Sequence, residues 1–161
     1  RFLHGELENV DSIKLIDSLK FVTPGGKIVY GGGGIMPDVF IPIDTAGISE
    51  YFTLVRNLGL IYRFAFDFTD NNRNKLKGFK TAEEISAYLD KTNYYQEFIN
   101  YASENGVKPK YNDLQISQNL IKTQLKAYIA RNMIDNPGFY PIIQQIDNTL
   151  LQAVKLFEDH E

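Results

Sequence analysis

The chain has 161 residues, 43% of them hydrophobic and 23% charged, with a formal net charge of −3 and no cysteine. That length supports one respectable core, or a small domain with an appendage, and the composition is that of a soluble globular protein. The acidic balance argues against nucleic acid as a partner, and the missing cysteines exclude a disulfide framework and a thiolate metal site. No apolar run approaches the ~20 residues that cross a bilayer. The first residue is Arg1 rather than Met and no signal-like run follows, which fits a segment excised from a longer protein, any targeting sequence lying upstream.

Arg1 to Asn9 shows little pattern. Val10, Ile13, Leu15 or Ile16, and Leu19 then recur at helical spacing with Asp11, Lys14, Asp17 and Lys20 between them, which predicts a short amphipathic helix over Val10–Phe21. Thr23-Pro24-Gly25-Gly26 ends it in a turn. Gly26–Tyr30 reads as a β-branched strand and Val39–Ile43 as another, with Gly31 to Gly34 punctuating the two. Pro42 has no N–H, so the second strand is expected to lie at a sheet edge or soon to leave the sheet.

Consecutive glycines invite a phosphate cradle. Such a cradle needs a following helix N-terminus, with Lys-Ser/Thr in the nucleotide version. Here the glycines run into Ile35-Met36-Pro37-Asp38 and a strand, so a bare turn is the favoured reading and a nucleotide-dependent enzyme ranks lowest.

The stretch Thr23–Asp38 resembles a segment of the C-terminal processing (tail-specific) serine peptidases. In that family a Gly-Arg/Lys strand, a Gly-Ile-x-Pro-Asp turn and a short apolar strand close the catalytic core. Gly26-Lys27, Gly34-Ile35, Pro37-Asp38 and Val39 to Ile43 follow that order. Val29-Tyr30 before four glycines is similar to the branch with a long helical C-terminal extension. Likeness further on, through Asn72-Arg73 and Tyr101-Ala102, is fainter. The resemblance implies a parent hydrolase that cleaves peptide bonds near protein C-termini in the periplasm or another extracytoplasmic compartment. It also shows what this chain lacks. The family's nucleophilic Ser and general-base Lys lie upstream of this segment, and no Ser-x-x-Lys pair occurs here. His4 and His160 sit at opposite ends, which gives a Ser-His-Asp arrangement little support. No catalytic, cofactor or metal residue is assigned, and no cofactor is expected.

After Asp44-Thr45-Ala46-Gly47 the pattern is helical. Ser49 is a plausible N-cap for a helix through about Asn57, stopped by Gly59. Leu60–Phe68 is ambiguous, since the Phe64, Phe66, Phe68 alternation suits a strand, and flanking pattern tips it to helix. Asp70-Asn71-Asn72-Arg73-Asn74 reads as a polar turn or a cap. Asp67 and Asp70 lack the ordered spacing and terminal Glu of a Ca²⁺ loop. Thr81-Ala82-Glu83-Glu84 is a capping box opening a helix to about Asp90, and Tyr94, Phe98, Ile99 and Ala102 mark another closed by Asn105-Gly106. Lys108-Pro109-Lys110 connects it to a long helix starting at Asn112, which Asp135-Asn136-Pro137 breaks. Phe139, Ile142, Ile143, Ile146, Leu150, Ala153, Val154 and Phe157 then form one stripe, predicting a last helix that pairs with its predecessor and anchors the bundle. On it Ile146 and Leu150 should face the core and Lys155 the opposite side.

The expected fold is mainly α with a small N-terminal β element (α+β): a helical bundle following a two-strand, Gly-rich turn unit, divided into residues 1–46 and 47–161. Ten Tyr and eleven Phe, with no Trp, are mostly core by their spacing, with an aromatic binding groove as the lesser reading. Lys75, Lys77, Lys80, Lys108 and Lys110 read as plain surface. Two functions follow. The first is the non-catalytic C-terminal portion of a tail-specific peptidase, docking on the parent's catalytic core, positioning protein or peptide substrates, or forming a homo-oligomer. The alternative is a free-standing helical module whose aromatic groove takes a peptide or helix.

Overall fold

Phe21-Val22 and Ile28-Val29 are β-favouring pairs separated by a turn sequence, and a short loop closes at small entropic cost. In the computed structural model, which describes residues 20–26, 28–31 and 39–159, they form an antiparallel hairpin. Strands β1 (Lys20–Val22) and β2 (Ile28–Tyr30) pair Lys20 with Tyr30, Phe21 with Val29 and Val22 with Ile28. The Gly26 N–H donates to the Thr23 carbonyl at 2.9 Å, and Gly26 takes φ +80°, which glycine adopts without steric cost.

This pairing corrects two expectations. Lys20 and Phe21 are strand rather than the end of a helix, the remainder of Val10–Phe21 lying outside the described residues. Val39–Ile43 forms no strand; the partner of Ile28–Tyr30 is the nearer segment across Pro24-Gly25, and Pro42 brings no donor to a ladder. The turn at Gly32 to Gly34 also lies outside the described residues. The chain divides into compact units at Asp44/Thr45.

The second unit is all helix: α1 (Glu50–Asn57), α2 (Leu60–Leu76), α3 (Ala82–Leu89), α4 (Tyr94–Glu104), α5 (Tyr111–Ile134), α6 (Asn136–Ile143) and α7 (Asn148–Glu158). With the hairpin it makes the chain mainly α with a small β element, as its sequence pattern requires. Ser49 caps α1 by accepting from the Phe52 N–H at 3.1 Å. Gly59, in the left-handed region at φ +67°, turns α1 into α2. The aromatic alternation resolves as helix, with Phe64 and Phe68 buried one turn apart and Phe66 outside. Asp70–Asn74 is neither turn nor cap but the interior of α2. Its helix runs on because Leu76, fully buried, is reached only by another turn, and Asn72 donates to the Phe68 carbonyl rather than breaking the ladder.

At α3 both halves of the capping box form: the Glu84 N–H donates to Thr81 Oγ1 at 3.2 Å, and Glu84 Oε2 accepts from the Thr81 N–H at 3.3 Å. Helix α4 ends in a Schellman turn. Gly106 takes φ +88°, its N–H donates to the Ser103 carbonyl, and the buried Val107 returns its N–H to the Ala102 carbonyl at 2.9 Å.

Helix α5 is the axis. It packs against α1, α2, α3 and α6, and no residue from Ile121 to Ala130 is exposed. Helix α6 folds back on it tightly: a Cβ on Gly138 would stand 2.5 Å from the Ala130 carbonyl oxygen. The turn between them holds Asp135 at φ +60°, ψ −145°, a conformation that favours glycine. At the other end Ser117, fully buried, accepts the Ser49 N–H at 3.1 Å and donates to the Gly47 carbonyl at 2.7 Å, pinning the start of α1 to α5.

The expected last helix is two. Pro141 sits inside α6, Gln144–Ile146 tighten into a 3₁₀ turn, and Asp147 restarts the chain as an N-cap whose carboxylate accepts the Leu150 N–H at 3.1 Å. This break rotates the second half of the stripe away from the core. Ile142 is buried, whereas neither the 3₁₀ turn nor α7 buries a residue, and Phe157 is 76% exposed. The anchor is therefore α5, not the final helix.

Two stability predictions follow from α5. Leu125→Ala, at a fully buried site on that helix, should cost ~2–5 kcal/mol in urea unfolding, and Leu150→Ala no more than about 1 kcal/mol. Gly138→Ala should cost at least ~1–3 kcal/mol, because backbone rather than a movable side chain blocks the methyl group. Equal midpoints for Leu125→Ala and Leu150→Ala would restore α7 to the core.

Candidate functional site

Four surface and subsurface features carry polar chemistry or exposed apolar area. The first is a Ser–Lys contact. Ser86 and Asp90, one turn apart on α3, face Lys126 of α5. The Lys126 Nζ reaches Asp90 Oδ1 at 2.6 Å and donates to Ser86 Oγ at 3.1 Å, with only 16% of the lysine side chain exposed. With Ser86 and Asp90, the residues Ala82, Glu83, Ala87, Pro141, Ile142 and Gln145 line a pocket of about 250 Å³. A Ser–Lys dyad needs an amine that can take the serine proton. Here the ammonium is ion-paired with a carboxylate and gives a hydrogen bond to the hydroxyl, so the trio rivets α3 to α5 rather than activating Ser86. The sequence offered no signal for this pairing, since the three residues come from helices 40 positions apart.

The second feature is an open groove of about 620 Å³ between the end of α6 and α7. Pro141, Leu150, Leu151 and Val154 form its apolar wall, and Lys155, Glu158 and Asp159 its charged rim.

The third is an aromatic strip across three helices. Tyr62 of α2 meets Tyr128 of α5 at a ring-centroid distance of 5.5 Å and 87°. Tyr128 meets Phe139 of α6 at 5.4 Å, and Phe139 meets Tyr140 at 5.5 Å and 81°. The Arg131 guanidinium lies over the Phe139 ring at 5.2 Å. Tyr62 and Tyr140, at the ends, are 52% and 51% exposed. Most other aromatics are core: Phe64 packs against Phe68, Phe98 and Tyr101.

The fourth is a group of phenols. The hydroxyls of Tyr51, Tyr94 and Tyr95 are buried without a hydrogen-bond partner among the described residues. Burial pushes the Tyr51 phenol up to about 12, with the Tyr95 phenol adding to it. Tyr94 is raised further, by burial first and then by the Asp90 charge, and Tyr95 is raised by burial.

Of the acidic pair weighed for Ca²⁺, Asp70 sits 3.5 Å from Arg73, on the same helix as Asp67. Among the described residues no three metal-ligating side chains converge, and no helix is long and apolar enough to cross a membrane. Lys75 and Lys77 donate to Asn72 and Asn74 on their own helix or beside it, and Lys110 pairs with Glu50 at 2.7 Å.

Fold and surface thus define a helical domain with its own core, an apolar groove and an aromatic strip. Residues 51–135, from α1 to the end of α5, match the profile of a family of unknown function (DUF8443), and the chain belongs to that family. No curated protein and no solved structure matches the chain.

The raised phenols give a pH prediction. A folded-state value above the unfolded value of about 10 means the native state holds its protons longer, so this stability is complete below pH ~10 and is lost as pH climbs through 12. Urea midpoints should fall between pH 10 and 12, and less steeply in Tyr51→Phe and Tyr94→Phe. At pH 7 those variants should be near neutral, since each removes an unpaired buried hydroxyl. Phenolate absorbance rising below pH 10 with the fold intact, for all ten tyrosines, would contradict this.

Proposed function

We propose that residues 45–161 are a non-catalytic protein-interaction domain, and that the stretch before them is the closing segment of a tail-specific serine peptidase core. The observation that carries the non-catalytic reading is the Ser86–Lys126–Asp90 contact, in which the lysine pairs with a carboxylate and donates to the serine hydroxyl rather than accepting from it. A domain that closes its own core yet leaves Leu151, Val154 and Phe157 of one helix in solvent has apolar area to offer another protein.

The peptidase assignment is supported by the Thr23–Asp38 resemblance, which lies outside the stretch matched by the family profile. It is also supported by the hairpin, whose Phe21, Val22 and Ile28 are exposed and suited to further sheet and core. On this reading the parent acts outside the cytoplasm on protein C-termini, with its Ser and Lys upstream. The helical domain docks on the catalytic core or holds the substrate protein. A free-standing interaction module is the second reading, favoured by the aromatic strip, which has no counterpart in the resemblance.

The purified chain should neither cleave an unfolded protein nor react with a fluorophosphonate probe. Labelling at Ser86, abolished by Lys126→Met, would overturn the non-catalytic reading. The coding sequence ahead of Arg1 separates the two versions: a Ser-containing nucleophile motif and a Gly-Lys-Gly segment are expected, and a start codon without them leaves the free-standing module.

A further inference from the structure

An exposed row of aromatic rings fits several ligands, and the geometry of this one selects among them. Sugars and bases stack flat on an open ring face. The end pairs instead stand at 87° (Tyr62–Tyr128) and 81° (Phe139–Tyr140), so each makes an L-shaped notch of one ring face and one ring edge. A pyrrolidine ring, puckered and apolar, fills such a notch. The notches are joined by the 5.4 Å step from Tyr128 to Phe139. With half of each end spacing added, their centres lie within about 11 Å, and one turn of polyproline II, three residues at ~3.1 Å each, advances ~9 Å.

Three further observations bear on the occupant. The half-exposed tyrosines at both ends of the strip carry phenol donors, and a polyproline II backbone carries carbonyls that have no internal partner. Arg131, exposed and stacked on Phe139, makes no ion pair among the described residues, which calls for an acidic group on the ligand. The area is small. Two half-exposed tyrosines and two more buried rings offer on the order of 300 Å², far below the ~800 Å² per partner of a stable protein–protein interface, and enough for a short segment.

We propose that the strip of Tyr62, Tyr128, Phe139 and Tyr140, with Arg131 beside it, is a docking surface for a proline-rich, acid-bearing peptide segment in the polyproline II conformation. This rests on the interaction reading above and names the chemistry of its partner. Each notch takes one proline of successive turns, the phenols donate to backbone carbonyls, and the guanidinium pairs with a glutamate or aspartate on the same edge.

The test is amide chemical-shift titration of the full chain with an acetylated, amidated (Pro-Pro-Glu) repeat peptide. Two control peptides have every Pro replaced by Ala or every Glu by Gln. Saturable shifts confined to the start of α2, the C-terminal part of α5 and α6 are expected. Tyr62→Ala and Tyr140→Ala, both at exposed positions that leave the core intact, should each weaken binding about tenfold or more. Arg131→Gln should weaken the Glu peptide several-fold and leave the Gln peptide unchanged. No saturable shift, equal binding of the Ala peptide, or indifference to both tyrosine substitutions overturns the proposal. So does concentration-dependent dimerisation that Tyr140→Ala abolishes, since the strip is then a face between copies. Binding lost in Leu151→Asp but kept in Tyr140→Ala overturns the strip while the interaction reading stands on the α7 groove.

Discussion

Residues 121–130 of helix α5 must be shielded on every side, and the rest of the helical unit follows from that requirement. Ile121, Leu125, Ala127, Ile129 and Ala130 are fully buried although they point in different directions around the helix, so no single partner covers them. Four helices are recruited: α1 and α2 before it in sequence, α3 over Lys126, and α6 folded back over Ala130. Small residues set how close the last can come. With Gly138 of α6 against the Ala130 backbone of α5, the two helices approach where even a Cβ at Gly138 would hold them apart. The turn that achieves this keeps Asp135 in a glycine-like conformation, a local cost of about 1–3 kcal/mol held in place by the packing on either side.

Polar groups near this axis are spent on fixing helices to it. Ser117 ties down the start of α1 through the buried Ser49 N–H, which would cost ~1–3 kcal/mol if left unpaired, and through the part-buried Gly47 carbonyl. Lys126 does the same for α3, and its ion pair is the reason a serine within 3.1 Å of a lysine is structural here. Once α5 is satisfied, nothing in the unit requires α7. Its apolar side chains are surplus to the core, and the strip joins rings from α2, α5 and α6, half-exposed at its two ends.

Features governed by neighbours in sequence were legible from the residues. The Ser49 cap, the Thr81–Glu84 box and the Asn105-Gly106 stop each depend on groups within about four positions, and each is where the pattern put it. Pairing was less legible. Ile28–Tyr30 reads as a strand from its own residues, but its partner was assigned to Val39–Ile43 because Lys20-Phe21 had been absorbed into the preceding helical period. Asp70–Asn74 carries turn-forming side chains, and the burial of Leu76 overrode them. The apolar stripe after Phe139 was real as a period, yet period alone is blind to Asp147, whose carboxylate offers the Leu150 N–H a cap and starts a new helix in a new direction.

The aromatic strip was beyond any local reading, because its members lie 62, 128, 139 and 140 positions along the chain and meet only after α6 has folded onto α5. Its ends are half-exposed, whereas most other aromatics, those around Phe64 among them, fill the core. A ring gains most from water when wholly buried. Tyr62 and Tyr140 forgo about half of that gain, and a phenol at each end tolerates water while leaving a donor in place. The same surface therefore tolerates solvent and is shaped for a segment that is itself apolar, extended and short of donors.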